Sequence, residues 1–234
     1  MISEAAPPLL LAAFWSAITI ALYLFAKAAY RRWPRLWLSP LVFAPALLII
    51  LAIVMRETYA DYIRSTHWLV MLLGPATVAF AVPIYEQRAT IRRYWPALAL
   101  GVTVGSGVAV GSAWALASLL SLDGNLRLSL LPRSVSTPFA MTVSADIGGV
   151  PDLTAVFVVI TGVLGAALGE TLLRVLPLRS ALSRGALLGM GAHGAGVAKA
   201  QQIGAEEGTI AGLVMVLVGL VNVLAAPLLS LLLR

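Results

Sequence analysis

Residues 131–138 read Leu131-Pro132-Arg133-Ser134-Val135-Ser136-Thr137-Pro138, and residues 189–199 read Gly189-Met190-Gly191-Ala192-His193-Gly194-Ala195-Gly196-Val197-Ala198-Lys199. Both stretches interrupt apolar sequence, and neither makes a good continuous helix. Pro132 removes a backbone donor, and Pro138 biases Thr137 away from the helical region. Each glycine of the second stretch costs a helix about 1 kcal/mol relative to alanine, but lets a backbone or a ligand approach closely. What these interruptions mean depends on the chain around them.

That chain has 234 residues, of which 60% are hydrophobic and 11% charged, with no cysteine. A soluble domain carries about 25% charged residues, so this composition belongs in lipid. There, every backbone polar group has to be satisfied internally, which points to an all-α polytopic membrane protein. Disulfide scaffolds, CxxC redox sites and thiolate metal sites are excluded by the missing cysteines, and disorder by the apolar content. Six uninterrupted runs are near the length of a crossing, at about 20 residues each. They cover residues 9–26, 40–55, 68–85, 95–122, 153–173 and 209–231. The first has no basic segment before it and no small-residue cleavage site after it, so it reads as a span, not a signal peptide. Segments 126–147 and 180–203 are broken by Pro, Gly, Ser and Thr. The expected organisation is a single transmembrane domain, 1–234. Residues 1–122 form a four-helix scaffold, and 123–178 and 179–234 are two repeat units with broken helices.

The net charge of +6 is distributed by loop. Lys27, Arg31, Arg32 and Arg35 follow the first span, whereas Arg56 and Arg64 in the next loop are offset by Glu57 and Asp61. Arg88, Arg92 and Arg93 follow the third span, and Arg174, Arg179 and Arg184 follow the fifth. Basic residues in alternate loops put those loops in the cytoplasm and the N-terminus outside. The charge is therefore an orientation signal, not a nucleic-acid footprint. On this orientation segment 126–147 begins and ends outside and must re-enter, which lipid tolerates only where protein or a water-filled cavity surrounds it.

A shift of 56 residues aligns the two broken segments and the spans after them. Asp146-Ile147-Gly148 falls on Gln202-Ile203-Gly204, Ala155 on Ala211, Val158 on Val214, Leu164 on Leu220, and Thr137 on His193. If segment 180–203 re-enters from the cytoplasm, the two units are inverted, the architecture of many secondary transporters. If it crosses, they are parallel.

The polar residues of the broken segments are the candidate substrate-binding site. Thr137 reads as an N-cap before a helix starting near Phe139, and a helix start binds anions well. Arg133, Ser134, Ser136 and Thr137 add a cation and hydroxyls, a set suited to a carboxylate. His193 either contacts substrate, carries a proton or packs against a backbone carbonyl. Glu86, Lys199 and Asn222 are secondary candidates, with Asn222 otherwise interhelical glue. Glu170 reads as a partner of Arg174 one turn later, Asp152 as the cap of the fifth span, and Glu206 and Glu207 as a solvated turn. Trp15, Trp33, Trp37, Trp68 and Trp95 read as interfacial anchors. Two histidines, no cysteine and no HExxH or GxSxG motif leave no metal site or activated nucleophile. The glycine string is not a phosphate loop either. The chain is therefore not expected to be an enzyme or to carry a cofactor.

These segments resemble the LrgB/CidB family of antiholin-like membrane proteins over nearly the whole chain. The residues carrying the resemblance start with Gly74-Pro75-Ala76-Thr77-Val78-Ala79 through Pro83-Ile84-Tyr85-Glu86-Gln87, followed by residues 131–138. Ile147-Gly148-Gly149-Val150-Pro151, Leu153-Thr154-Ala155-Val156, His193 and Glu207-Gly208 complete it. Arg133 stands where the family usually has lysine, and Ser136 where it has threonine. Ala192 replaces the serine that usually precedes the histidine. The resemblance implies two functions. One is transport of small carboxylates: plant plastid relatives exchange glycolate for glycerate, and some bacterial relatives are linked to pyruvate uptake. The other is a holin-like role with a small LrgA/CidA-type partner in controlling murein hydrolase export and autolysis. The cluster of Arg, Ser and Thr opposite a glycine-lined histidine favours transport by alternating access. The expected setting is the lipid bilayer of a bacterial inner membrane, as a homo-oligomer, without nucleic acid.

Overall fold

The computed structural model describes residues 8–232. Among them there are helices and turns but no strand. The chain is an all-α polytopic membrane protein. Five helical stretches have the length and apolarity of a crossing: Leu9–Arg32, Tyr59–Glu86, Arg88–Leu119, Pro151–Val175 and Ala205–Leu232. Pro40–Met55, expected as a full span, is apolar but shorter. The residues fall into two compact units, divided between Ala76 and Thr77.

The first unit contains α1 (Pro8–Arg32), α2 (Pro40–Met55) and α3 (Tyr59–Met71). Arg56, in the left-handed region, ends α2, and Thr58 caps α3 by accepting from the Asp61 N–H at 3.2 Å. Helix α1 packs on α3 around Trp15, which is only 1% exposed and meets Tyr62 edge-on at 5.5 Å. The Trp68 indole donates to Ser16 Oγ at 2.8 Å. Trp15 is therefore a core residue and not the interfacial anchor expected from its position. It lies two turns inside α1, on the face turned to α3. Trp33, Trp37, Trp68 and Trp95 are exposed, as anchors should be.

The run from α3 continues through α4 (Leu73–Ala79) and α5 (Ala81–Glu86), with short irregularities at Leu72 and Phe80. In the second unit, α6 (Arg88–Leu119) is kinked at Tyr94, two residues before Pro96, as a proline's missing donor and ring clash require. A short α7 (Gly124–Leu130) leads into a 3₁₀ turn (Leu131–Ser134), and α8 (Thr137–Ile147) follows. Gly148, at φ +89°, turns the chain into α9 (Pro151–Val175). Next comes α10 (Ala181–Ile203), broken inside at His193, and then α11 (Ala205–Leu232). The core of this unit lies where α6, α8, α9 and α11 bring Leu98, Val102, Phe139, Val158, Leu213 and Val216 together.

Candidate functional site

Both broken segments fold as hairpins. In the first, residues 124–147, the chain goes in through α7 and the 3₁₀ turn and returns along α8. Its two ends are tied together by uncharged groups. Ser129 Oγ accepts from the Val150 N–H at 2.8 Å and donates to the Asn125 carbonyl. Thr154 Oγ1 donates to the Ser129 carbonyl at 2.9 Å and lies 2.7 Å from Ser144 Oγ. Ser129, Ser144 and Thr154 are fully buried. Gly149 has to be glycine there, since a Cβ would sit 2.9 Å from the Ser129 nitrogen.

In the second hairpin, residues 181–192 enter and residues 194–203 return. The reversal falls on His193, with φ +44° and ψ −124°, a conformation that costs a non-glycine residue about 1–3 kcal/mol. Gly196 then lies directly against the Leu188 carbonyl, where a Cβ has no room. In a straight helix those two residues would be about 12 Å apart. The open end of this hairpin is held by charges. Arg184 pairs with Glu207 at 2.9 Å, and Lys199 with Glu170 at 2.7 Å. The segment is therefore two helical arms reversed at His193.

Helix α9 measures the arrangement. Thr154, near its start, is bonded into the mouth of the first hairpin, and Glu170, near its end, binds the mouth of the second. Gly162 lies midway, eight residues and about 12 Å from each, and faces the Ala192 carbonyl and His193 Nδ1 at the second hairpin's tip. The hairpins thus enter from opposite ends of α9 and meet near its middle. Each is followed by a long helix, of 25 residues for α9 and 28 for α11.

At the meeting point His193 is within hydrogen-bonding reach of the Ser134 backbone and within electrostatic reach of Arg133. His193 is 3% exposed and its Nε2 has no partner; Ser136 is 7% exposed and its Oγ has none either. Buried polar atoms are normally satisfied, so two orphans at one junction mark a place prepared for a further polar group. The N-cap is Ser136 and not Thr137: Pro138 occupies the second helical position, Thr137 is already helical, and the Ser136 hydroxyl makes no cap bond. Arg133, Ser134 and Thr137 are half-buried beside it. Among the described residues Arg133 has no carboxylate partner. The start of α8 and the start of the returning arm at Gly194 both point at the junction, and their partial positive charges add to that of the guanidinium. The place suits a small anion.

The secondary candidates lie elsewhere. Glu86 is exposed at the end of α5. Lys199 is tied to Glu170 at the second mouth, where Arg174 joins at 2.7 Å. Asn222 is buried, donating to Ser106 Oγ and the Val218 carbonyl, and so joins α11 to α6. Glu207 is 7% exposed and paired with Arg184, so it is not part of a solvated turn. Asp152 sits in the first turn of α9 without capping it; Val150 occupies the cap. Three groups escaped the sequence reading. The hydroxyls of Ser129, Ser144 and Thr154 carry no local signal, because their partners are 10 to 25 residues away. Gly162, Gly165 and Gly169 do: spaced by three and four on one helix face, they mark the close approach of the second hairpin. A cavity of about 300 Å³ lies between α6, α10 and α11, bordered by Gly101, Val102, Met190 and Gly191. Its walls carry no polar side chain, so it is not the anion place itself.

A family model described as LrgB-like matches residues 19–232. Uncharacterized protein YwbG of Bacillus subtilis (strain 168) is 42% identical over 210 residues, covering 90% of this chain and 93% of the relative. Protein YxaC of the same organism, also named uncharacterized, is 34% identical over 90% of this chain and 92% of its own. The antiholin-like protein LrgB, again from B. subtilis, is 35% identical over 170 residues, 73% of this chain and 74% of the relative. No solved structure matches the chain. With a family match from the middle of α1 to the end of α11, and relatives aligned over most of their length, the chain belongs to the LrgB-like family.

Proposed function

We propose that the protein carries small monocarboxylates, of the glycolate, glycerate or pyruvate kind, across the membrane by alternating access. The observation that supports this best is the meeting of two inverted hairpins at a junction with two buried, unpartnered polar atoms. A site at the middle of α9, about 12 Å from either mouth, can be uncovered from one side or the other by moving one hairpin. Arg133 and the start of α8 would take the carboxylate, Ser134, Ser136 and Thr137 would supply hydroxyls, and His193 would contact the substrate's remaining polar group or carry a proton. The surrounding membrane is the inner (plasma) membrane, with the N-terminus outside and the second mouth, beside Arg174, Arg179 and Arg184, in the cytoplasm.

Uptake of labelled glycolate or pyruvate into proteoliposomes is expected to saturate. Arg133→Ala and Thr137→Ala should each cut it at least about tenfold, as the loss of a charged hydrogen bond worth about 1.5–3 kcal/mol implies. Unchanged uptake in both variants would refute the site.

A second reading draws on the relative named antiholin-like protein LrgB. In it the chain regulates murein hydrolase export and autolysis, with an LrgA/CidA-type small membrane partner. That reading expects unselective leakage of solutes, without saturation, and altered hydrolase release in cells. The buried unpartnered groups have no role in it, which favours transport.

A further inference from the structure

The two mouths are closed by different chemistry. The first is sealed by buried hydroxyls and backbone groups, with Ser129, Ser144 and Thr154 all without exposure. Opening it would strip several buried groups of their partners at once. The second is closed by ion pairs of two kinds: Arg184 with the buried Glu207, and a set whose side chains reach water, with Lys199 28% exposed, Glu170 42% and Arg174 76%. Exposed ion pairs contribute little and exchange readily for water.

The arms of the second hairpin also differ. The entering arm, residues 181–192, is locked to α11 by backbone contact. A Cβ at Gly185 would strike the Glu207 carbonyl, and one at Gly189 the Ala211 backbone. The returning arm, residues 194–203, touches α11 where Gln201 passes Gly208 and buries Gly196 and Ala200, but is more exposed along its length, with Gly194, Ala198, Gln201, Gln202 and Ile203 open. Its one ion pair to α9 is Lys199–Glu170. It starts at the strained His193 and ends at Gly204.

From this the geometry points to a gate: the returning arm is the moving flap, Lys199–Glu170 is its latch, and the first hairpin is the fixed wall. Displacing the arm breaks Lys199–Glu170, shifts His193 away from Ser134 and opens the junction toward the C-terminal end of α9. Arg174, already on the same carboxylate, holds Glu170 in place while the lysine leaves. The inference rests on the transport reading for its purpose, but its test does not depend on transport.

The chain has no cysteine, so a single Ser134→Cys reports on the junction. Its rate of modification by a charged, membrane-impermeant thiol reagent is measured in liposomes, with reagent supplied at the α9 C-terminal face. Glu170→Gln and Lys199→Gln should each raise the rate about fivefold, the factor expected when an exposed ion pair is removed. The charge swap Glu170→Lys with Lys199→Glu should bring it back toward the starting value. Reagent at the opposite face should show no such increase. Equal rates in all four proteins, whether fast or slow, would overturn the gate, and so would an increase from the opposite face. An increase that the swap does not reverse would mean general loosening and also overturns it. If labelling responds as expected but no carboxylate is taken up, the gate stands and the transported species is another.

Discussion

His193 combines a backbone that glycine would suit better with a side chain glycine cannot supply. Its positive φ is held by the surrounding packing: Gly162 on one side, Ser134 on the other, and Gly196 folded under Leu188. Strain retained at a residue with an unpartnered buried nitrogen is the pattern of a functional site. His193→Gly should therefore relax the backbone and raise thermal stability in detergent by about 1 kcal/mol, while carboxylate uptake falls to background. A drop in melting temperature would show that the imidazole is chiefly a packing group. Arg133 presents the opposite case. Its guanidinium is legible in sequence as a misplaced charge, and the junction confirms only that no carboxylate of the described residues neutralises it. Thr137 reads as the cap from sequence because threonine suits that role, yet the Ser136 torsions place the cap one residue earlier. Propensity alone does not separate neighbouring hydroxyl residues.

Among elements, the hairpins show how much an interruption can specify. Pro132 and Pro138 fix a non-helical passage between α7 and α8, since neither leaves the chain free to continue a helix. The glycines around His193 permit a reversal but do not require one, which is why the sequence favours re-entry yet leaves crossing as an alternative. The close approach of Gly196 to the Leu188 carbonyl shows the reversal, because a straight helix would hold those residues about 12 Å apart. The first mouth depends on Thr154. Replacing it by valine keeps the volume but leaves the Ser129 carbonyl and the Ser144 hydroxyl short of a partner. Thr154→Val is expected to lower stability by about 1–3 kcal/mol, the usual cost of a buried unsatisfied group. Denaturation in mild detergent would reveal it, and a variant as stable as the parent would mean that the hydroxyl network does not hold the first hairpin.

At the scale of the molecule, the distribution of charge carries the orientation. The basic loops after the first, third and fifth spans alternate with one that is neutral on balance. On the proposed orientation the mouths of the two hairpins are expected to face opposite compartments, since they lie at opposite ends of α9. With single cysteines at exposed positions, Asp123→Cys near the first hairpin should react with an impermeant maleimide in intact cells. Arg179→Cys, before the second, should react only after permeabilisation. The reverse pattern would turn the molecule over and assign the latched mouth to the outside.

The amino-acid sequence alone was enough for the class, the place of the two interruptions and the family. These follow from local quantities: hydropathy over a span, the missing donor of proline, the cost of glycine, and motifs read in order. Which residues meet was settled by the tertiary structure. Thr137 and His193 align in the repeat, but His193 packs with its ring beside Gly162 of α9. Glu170, read as a partner for Arg174, also holds Lys199 from the other hairpin, twenty-nine residues further along. Trp15 and Glu207, read as interfacial and solvated, are buried by elements that no local pattern places beside them. A hydrogen bond or ion pair between distant segments leaves no period in the chain, so only packing could decide it.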